Sequence, residues 1–345
     1  MKRLSVLLSF AAIAGMSSLL PLPGHAAFPG ENGRIAFLYG GASGTNDIYT
    51  IKPDGTGLKQ VTNLGPSGKT ANYESWSPDG SQMVYEQYSV SASPPFELWI
   101  VNADGTGQHK LLNDPKYVDQ TPSFSPSGSQ VIFSRCSFKS PYPCKLYRVD
   151  IDGKGLTRVT TSEDESEDFF PVYSPDGTRI AFTGILRDGY LSRVYLMNAD
   201  GSGLHAITPP ELGGDEPDWA PDGSRIVFQT YDPFLGDFSQ NEELWSIDPD
   251  GNDLKQLTRI NDSLKRVYLA APHDSAPSWS PAGDVIVFER DNGPYTKRSI
   301  VIMNPRSGTV ATRLTFATRA PAPIRSGSLM GRIHAGGFPR WGPGR

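Results

Sequence analysis

Four aspartates recur at nearly the same distance ahead of an aromatic residue. Asp119, Asp168 and Asp274 precede Phe124, Tyr173 and Trp279 by five positions, and Asp215 precedes Trp219 by four. Carboxylates repeated at one structural level make a region of negative potential that attracts cations and basic peptide segments. Each could instead accept hydrogen bonds from nearby backbone and fix its own loop. His273 stands beside Asp274, and His334 precedes a later copy of the same aromatic element. Two imidazoles and a carboxylate could ligate a transition metal, as a metal-dependent enzyme acting on a polysaccharide or peptide would need. His109 and His205 follow equivalent Asp-Gly turns at Asp104 and Asp200 by five residues, which reads as a repeated surface position.

Other chemical motifs fail on their spacing. Gly65-Pro66-Ser67-Gly68-Lys69-Thr70 ends like a phosphate loop, but Asn63 stands where the first glycine is needed. Asp248-Pro249-Asp250-Gly251 resembles the start of a calcium loop, yet Gly251 is its fourth residue and Arg259 its twelfth, where an EF-hand needs glycine sixth and glutamate twelfth. No Gly-x-Ser-x-Gly occurs, so the nucleophile elbow of the α/β-hydrolases is missing. Cys136 and Cys144 are the two cysteines, and an even count in an exported chain points to a disulfide.

The elements that position these residues repeat along the chain. Trp76-Ser77-Pro78-Asp79-Gly80 returns around Pro126, Pro175, Pro221 and Pro281, and a worn copy, Trp341-Gly342-Pro343-Gly344, closes the sequence. A short strand ending in an aromatic follows each good copy, at Tyr85, Phe133, Phe182, Phe228 and Phe288. An alternating strand then runs into an Asp-Gly turn, as at Asp104-Gly105, Asp152-Gly153 and Asp200-Gly201. Proline presets the first corner of a turn, glycine accepts the left-handed corner, and Asp-Gly between alternating runs is a strong hairpin signal. Four short antiparallel strands per repeat, six times over, predict an all-β six-bladed β-propeller. The tryptophans Trp76, Trp99, Trp219, Trp245, Trp279 and Trp341 occupy repeat positions and read as blade-to-blade packing.

If the strands of a blade are A to D from the inside outward, the first copy lacks an A strand and the last copy, at Phe338–Trp341, has nothing but one. The C-terminal strand should therefore complete the N-terminal blade and leave no open edge at the seam.

The Trp-Ser-Pro-Asp-Gly element with its downstream Asp-Gly hairpin resembles the repeat of the TolB propeller, over about residues 32–345. In that family an α/β domain precedes the propeller; here the residues from Ala27 to Gly33 precede the first strand. The resemblance implies a rigid ring that binds a protein or peptide partner of the cell envelope at its channel mouth, rather than an enzyme. It implies no cofactor, and the channel acids leave room for a cation. Asp119, Asp168, Asp215, Asp274, His273 and His334 are the candidate contact residues; longer insertions at 184–192, 231–241 and 259–274 would shape one side of the surface.

Lys2 and Arg3, the apolar run to Leu22 and the small residues Gly24 and Ala26 read as a signal peptide over residues 1–26, with residues 27–345 as the propeller. The mature chain would then be periplasmic or secreted, with no other stretch apolar enough to span a membrane. A net charge of −5, with no basic block, argues against nucleic acid, whose phosphates require clustered Lys and Arg.

Overall fold

The computed structural model describes residues 29–40, 45–89, 95–137, 144–161, 166–185, 192–230, 242–259, 273–291, 299–315 and 340–344. The segment read as a signal peptide, Phe338 and the greater part of the three long insertions lie outside the described residues. Apart from one 3-10 turn at Gly65–Ser67, the described residues hold no helix, and none could cross a membrane as a helix. That turn and the strand after it occupy the stretch that ends like a phosphate loop.

Six four-stranded antiparallel sheets form the blades of a β-propeller. Blade one holds β1 (Asn32–Gly40), β2 (Asn46–Ile51) and β3 (Lys59–Gln60). Blade two holds β4 (Lys69–Trp76), β5 (Gln82–Ser89), β6 (Phe96–Asn102) and β7 (His109–Lys110). Blade three holds β8 (Tyr117–Phe124), β9 (Gln130–Ser137), β10 (Cys144–Asp150) and β11 (Thr157–Arg158). Blade four holds β12 (Glu167–Tyr173), β13 (Arg179–Ile185), β14 (Ser192–Asn198) and β15 (His205–Ala206). Blade five holds β16 (Asp215–Trp219), β17 (Ile226–Thr230), β18 (Glu243–Ile247) and β19 (Lys255–Gln256). Blade six holds β20 (His273–Trp279), β21 (Ile286–Asp291), β22 (Ser299–Met303) and β23 (Val310–Thr315). The last strand, β24 (Arg340–Pro343), leaves blade six behind and pairs with β1, giving the order β24-β1-β2-β3.

The ring therefore closes as the missing strands require, with Trp341 opposite Ile35 and Arg340 opposite Ala36. Trp341 is buried with Ile35 and Phe37 of blade one and Val287 and Ile300 of blade six, so one side chain ties the two ends of the chain together. The seam is close: a Cβ at Gly33 would lie 2.1 Å from the Pro343 carbonyl oxygen, and one at Gly342 would lie 2.8 Å from the Trp76 ring. Only glycine permits that approach. Trp76, Trp219 and Trp279 are likewise buried, while Trp99 and Trp245 on the third strands are half-buried. The second strands are buried on both faces, as Ile226–Thr230 shows, because each blade is covered by a neighbour on either side.

Cys136 and Cys144 face each other across β9 and β10 and form a disulfide, their Cα atoms 4.0 Å apart. The Asp248 turn is a hairpin: its carboxylate accepts from the backbone N–H groups of Asp250 and Asn252, as turn aspartates do.

Candidate functional site

Five of the six inner strands carry the same irregularity. Tyr73, Thr121, Phe170, Glu216 and Ala276, all three residues before the strand's aromatic, have φ between 45° and 53°. The pairing with the second strand slips at each of them, which marks a β-bulge. Left-handed backbone at a non-glycine residue costs about 1–3 kcal/mol and persists where surroundings hold it. Four of the five bulges are held from the preceding blade. The N–H of Thr121 donates to Glu86 Oε2 (3.4 Å), that of Phe170 to Thr121 Oγ1 (3.1 Å), that of Glu216 to Thr183 Oγ1 (3.2 Å) and that of Ala276 to Gln229 Oε1 (2.7 Å).

The bulges divide the acids of the channel into two levels. At the level where the chain enters the inner strands lie the four aspartates. Asp119 sits opposite Arg135 on β9 and takes a two-pronged bond from Nε (2.7 Å) and Nη2 (2.8 Å). Asp274 sits opposite Arg290 on β21 and takes the same fork at 2.5 and 2.6 Å. Asp168 faces a glycine instead, and its cation comes from the neighbouring blade, Lys145 Nζ at 3.7 Å. Asp215 is half-buried and accepts from Thr183 Oγ1 at 2.9 Å. All four therefore have partners within the fold. His273 is half-buried at the start of β20, in register with Asp291. His334 lies outside the described residues, so the proposed His273, Asp274 and His334 set is not on view as a unit; among the described residues no group of three His, Cys, Asp or Glu could hold a metal. Both Asp274 oxygens are engaged by Arg290.

Further into the channel the acids are different. Residues of all six blades line a cavity of about 60 Å³, among them Tyr73, Glu74, Phe170, Asp218, Trp279 and Arg340. Five repeats place proline two residues before the aromatic: Pro122, Pro171, Pro217, Pro277 and Pro339. Blade two places Glu74 there. Glu74 is 1% exposed, and neither of its carboxylate oxygens has a hydrogen-bond partner. Burial pushes it up to about 8, against a smaller downward pull from its own backbone N–H and from Arg340. Asp218 is pushed up to about 6 by burial, although Arg340 and the Trp279 N–H (2.8 Å) favour its charge. Glu216 is held well above the usual range by burial and by Asp215 beside it. Glu86, bonded to Asn72 Nδ2 at 3.2 Å, is pushed up to about 8 by burial. Arg340 arrives on β24, donates to the Pro277 carbonyl at 3.0 Å, and is the cation lining the cavity. The rings of Tyr73 and Phe170 meet edge to face at 5.2 Å.

None of these waist residues is among the aspartates and histidines singled out by spacing. The aligned repeats do carry the signal: Glu74 replaces proline, and Arg340 stands where other copies have Ser75, Ser123, Val172, Asp218 or Ser278.

The fold is a TolB-like six-bladed propeller. TolB from Acinetobacter baumannii superimposes with a TM-score of 0.65 at 18% identity, over 90% of this chain and 67% of that one. An oligogalacturonate lyase in complex with manganese matches with a TM-score of 0.55 at 18% identity, over 83% and 75% of the two chains. At such identities the likeness is one of fold. In sequence, an uncharacterized protein of Agrobacterium fabrum is 29% identical over 136 residues, 39% of this chain and 43% of that protein. An uncharacterized peptidase of Bacillus subtilis, YuxL, is 29% identical over 121 residues, 34% of this chain and 16% of the peptidase. The chain thus spans less than half the length of these curated relatives. No family model matches it.

Proposed function

We propose that the chain is an exported binding module that recognises a protein or peptide partner of the cell envelope at the mouth of its channel. The observation that carries this reading is the channel waist: a small cavity reached by all six blades, lined by two carboxylates, Glu74 and Asp218, and one cation, Arg340, with Glu74 left without a hydrogen-bond partner. A closed ring holds such a surface rigid, and preorganisation favours binding. Export rests on the N-terminal signal, and the partner's class on the TolB-like fold. Affinity capture from envelope extract tests it. The wild-type chain should retain a discrete partner, and Ser123→Tyr, which fills the channel, should retain less. Recovery of nothing by the wild type, or equal recovery by both, would contradict the reading.

A metal-dependent enzyme at the mouth is the competing class, supported by the likeness to the manganese-bound lyase and the peptidase relative. Its proposed ligand Asp274 is engaged by Arg290 on both oxygens, which weakens it. Metal analysis of the purified chain separates the two: stoichiometric zinc or manganese favours the enzyme.

A further inference from the structure

Glu74 asks for an occupant. Leaving a buried carboxylic group without partners is destabilising, and more so when it is charged. Its five sequence counterparts are prolines, so the fold does not require an acid there. The cavity beside it, about 60 Å³, is roomy enough to admit a small polar head.

The charge of the lining sets the sign and valence of that head. Glu74 and Asp218 against Arg340 leave one negative charge when all are ionised. The walls are aromatic: Tyr73, Trp76, Phe170, Trp279 and Trp341. Ring faces attract organic cations, whereas a calcium ion seeks six to eight oxygens, and among the described residues no cluster of acids, His or Cys is arranged for a metal.

We infer that the channel waist is a receptor for a single primary ammonium group, of the kind carried by a lysine side chain, held by the Glu74 carboxylate against an aromatic wall. This rests on the reading that the channel recognises a peptide, and it names the group that the peptide would insert. Binding exchanges a proton for the ammonium, because burial holds Glu74 protonated near neutrality. Arg340 on β24, Tyr73 on β4 and Asp218 on β16 line the site with Glu74; Glu86 on β5 and Asp215 and Glu216 on β16 act on Tyr73, and Glu242 and Glu289 act on Glu216. Arg340 remains on Pro277 and Asp218, and the incoming ammonium takes the oxygens that Arg340 leaves bare.

Calorimetric titration of the mature chain with a blocked tripeptide carrying a central lysine tests this, beside the same peptide with norleucine and beside calcium chloride. The lysine peptide should bind and norleucine should not. Affinity should strengthen about tenfold for each unit that pH rises toward 8 and level off above it, with about one proton released at lower pH. Glu74→Gln and Glu74→Pro, the latter restoring the residue of the other repeats, should each weaken binding by at least about tenfold. Equal binding of lysine and norleucine, no binding of either, unchanged affinity in both variants, or calcium bound in place of the lysine peptide would overturn the inference. Partner capture that persists without lysine binding would sink this inference and leave the mouth reading intact; lysine binding without partner capture would do the reverse.

Discussion

The acids at the channel mouth and those at its waist belong to the same inner strands and meet opposite fates. Asp119 and Asp274 are buried, and each is gripped by an arginine directly across the sheet. Glu74 is just as buried and has no bonded partner. A bulge separates the two levels, and it changes which side chains face one another. Before the bulge, cross-strand register supplies a cation in blades three and six; after it, the inner strand slips against its partner and register supplies none. Repetition alone thus says little about function: the repeated aspartates have partners in the fold, and the unrepeated glutamate does not.

The comparison presupposes a closed ring, which gives the largest expected effect. Trp341→Ala removes the side chain that joins blades one and six and loosens the strand that delivers Arg340. It should cost about 3–5 kcal/mol in urea melting. A melt unchanged from the parent would mean that the ring is closed by something else.

Asp119→Ala should come next. It leaves the Arg135 guanidinium, 3% exposed, with only the longer contact to Asp114 (3.6 Å), and breaking one side of a buried pair costs up to about 3–5 kcal/mol. Binding of a lysine peptide at the waist should be unaffected. Loss of that binding without loss of stability would reverse the roles assigned to the two levels.

The waist acids should make stability depend on pH in the unusual direction. A carboxyl raised in the folded state stabilises the fold fully below its ordinary range, and that contribution is lost as pH climbs through its folded value. For Glu74 and Glu86, raised from 4.5 to about 8, stability should fall as pH climbs from about 4.5 to about 8, by several kcal/mol in all, and level off above that. Thermal melts of Glu74→Gln should show a visibly flatter fall over that window; a slope identical to the parent's would place Glu74 among ordinary carboxylates.

Reduction of the Cys136–Cys144 bond is the mildest change. It closes a short loop beside Asp119, since Cys136 pairs with Val118, and its loss should cost about 2–3 kcal/mol. Melting with and without reductant measures it, and the waist should titrate alike in both.

Much of the architecture was legible because it is written in local turn chemistry. Pro-Asp-Gly and Asp-Gly corners fix the hairpins wherever they recur, and the missing strands at the two ends of the chain specify how the ring closes. The mouth acids were legible as positions but not as pairs. Their partners do carry a signal, since Arg135 and Arg290 each follow their aspartate by 16 residues, one hairpin's length. The waist was hidden for a different reason. Which side chain survives without a partner depends on the bulge, on the neighbouring blade and on a strand from the far end of the sequence. Glu74 announced itself in the sequence only by standing where the other repeats have proline.

The most direct measurement is a carbon NMR titration of the Glu74 side-chain carboxyl, identified by its absence in Glu74→Gln. In the free chain it should titrate near 8 and move downward when the lysine tripeptide is added. Titration near the ordinary glutamate value of about 4.3, unmoved by the peptide, would contradict the division between mouth and waist on which the functional reading stands.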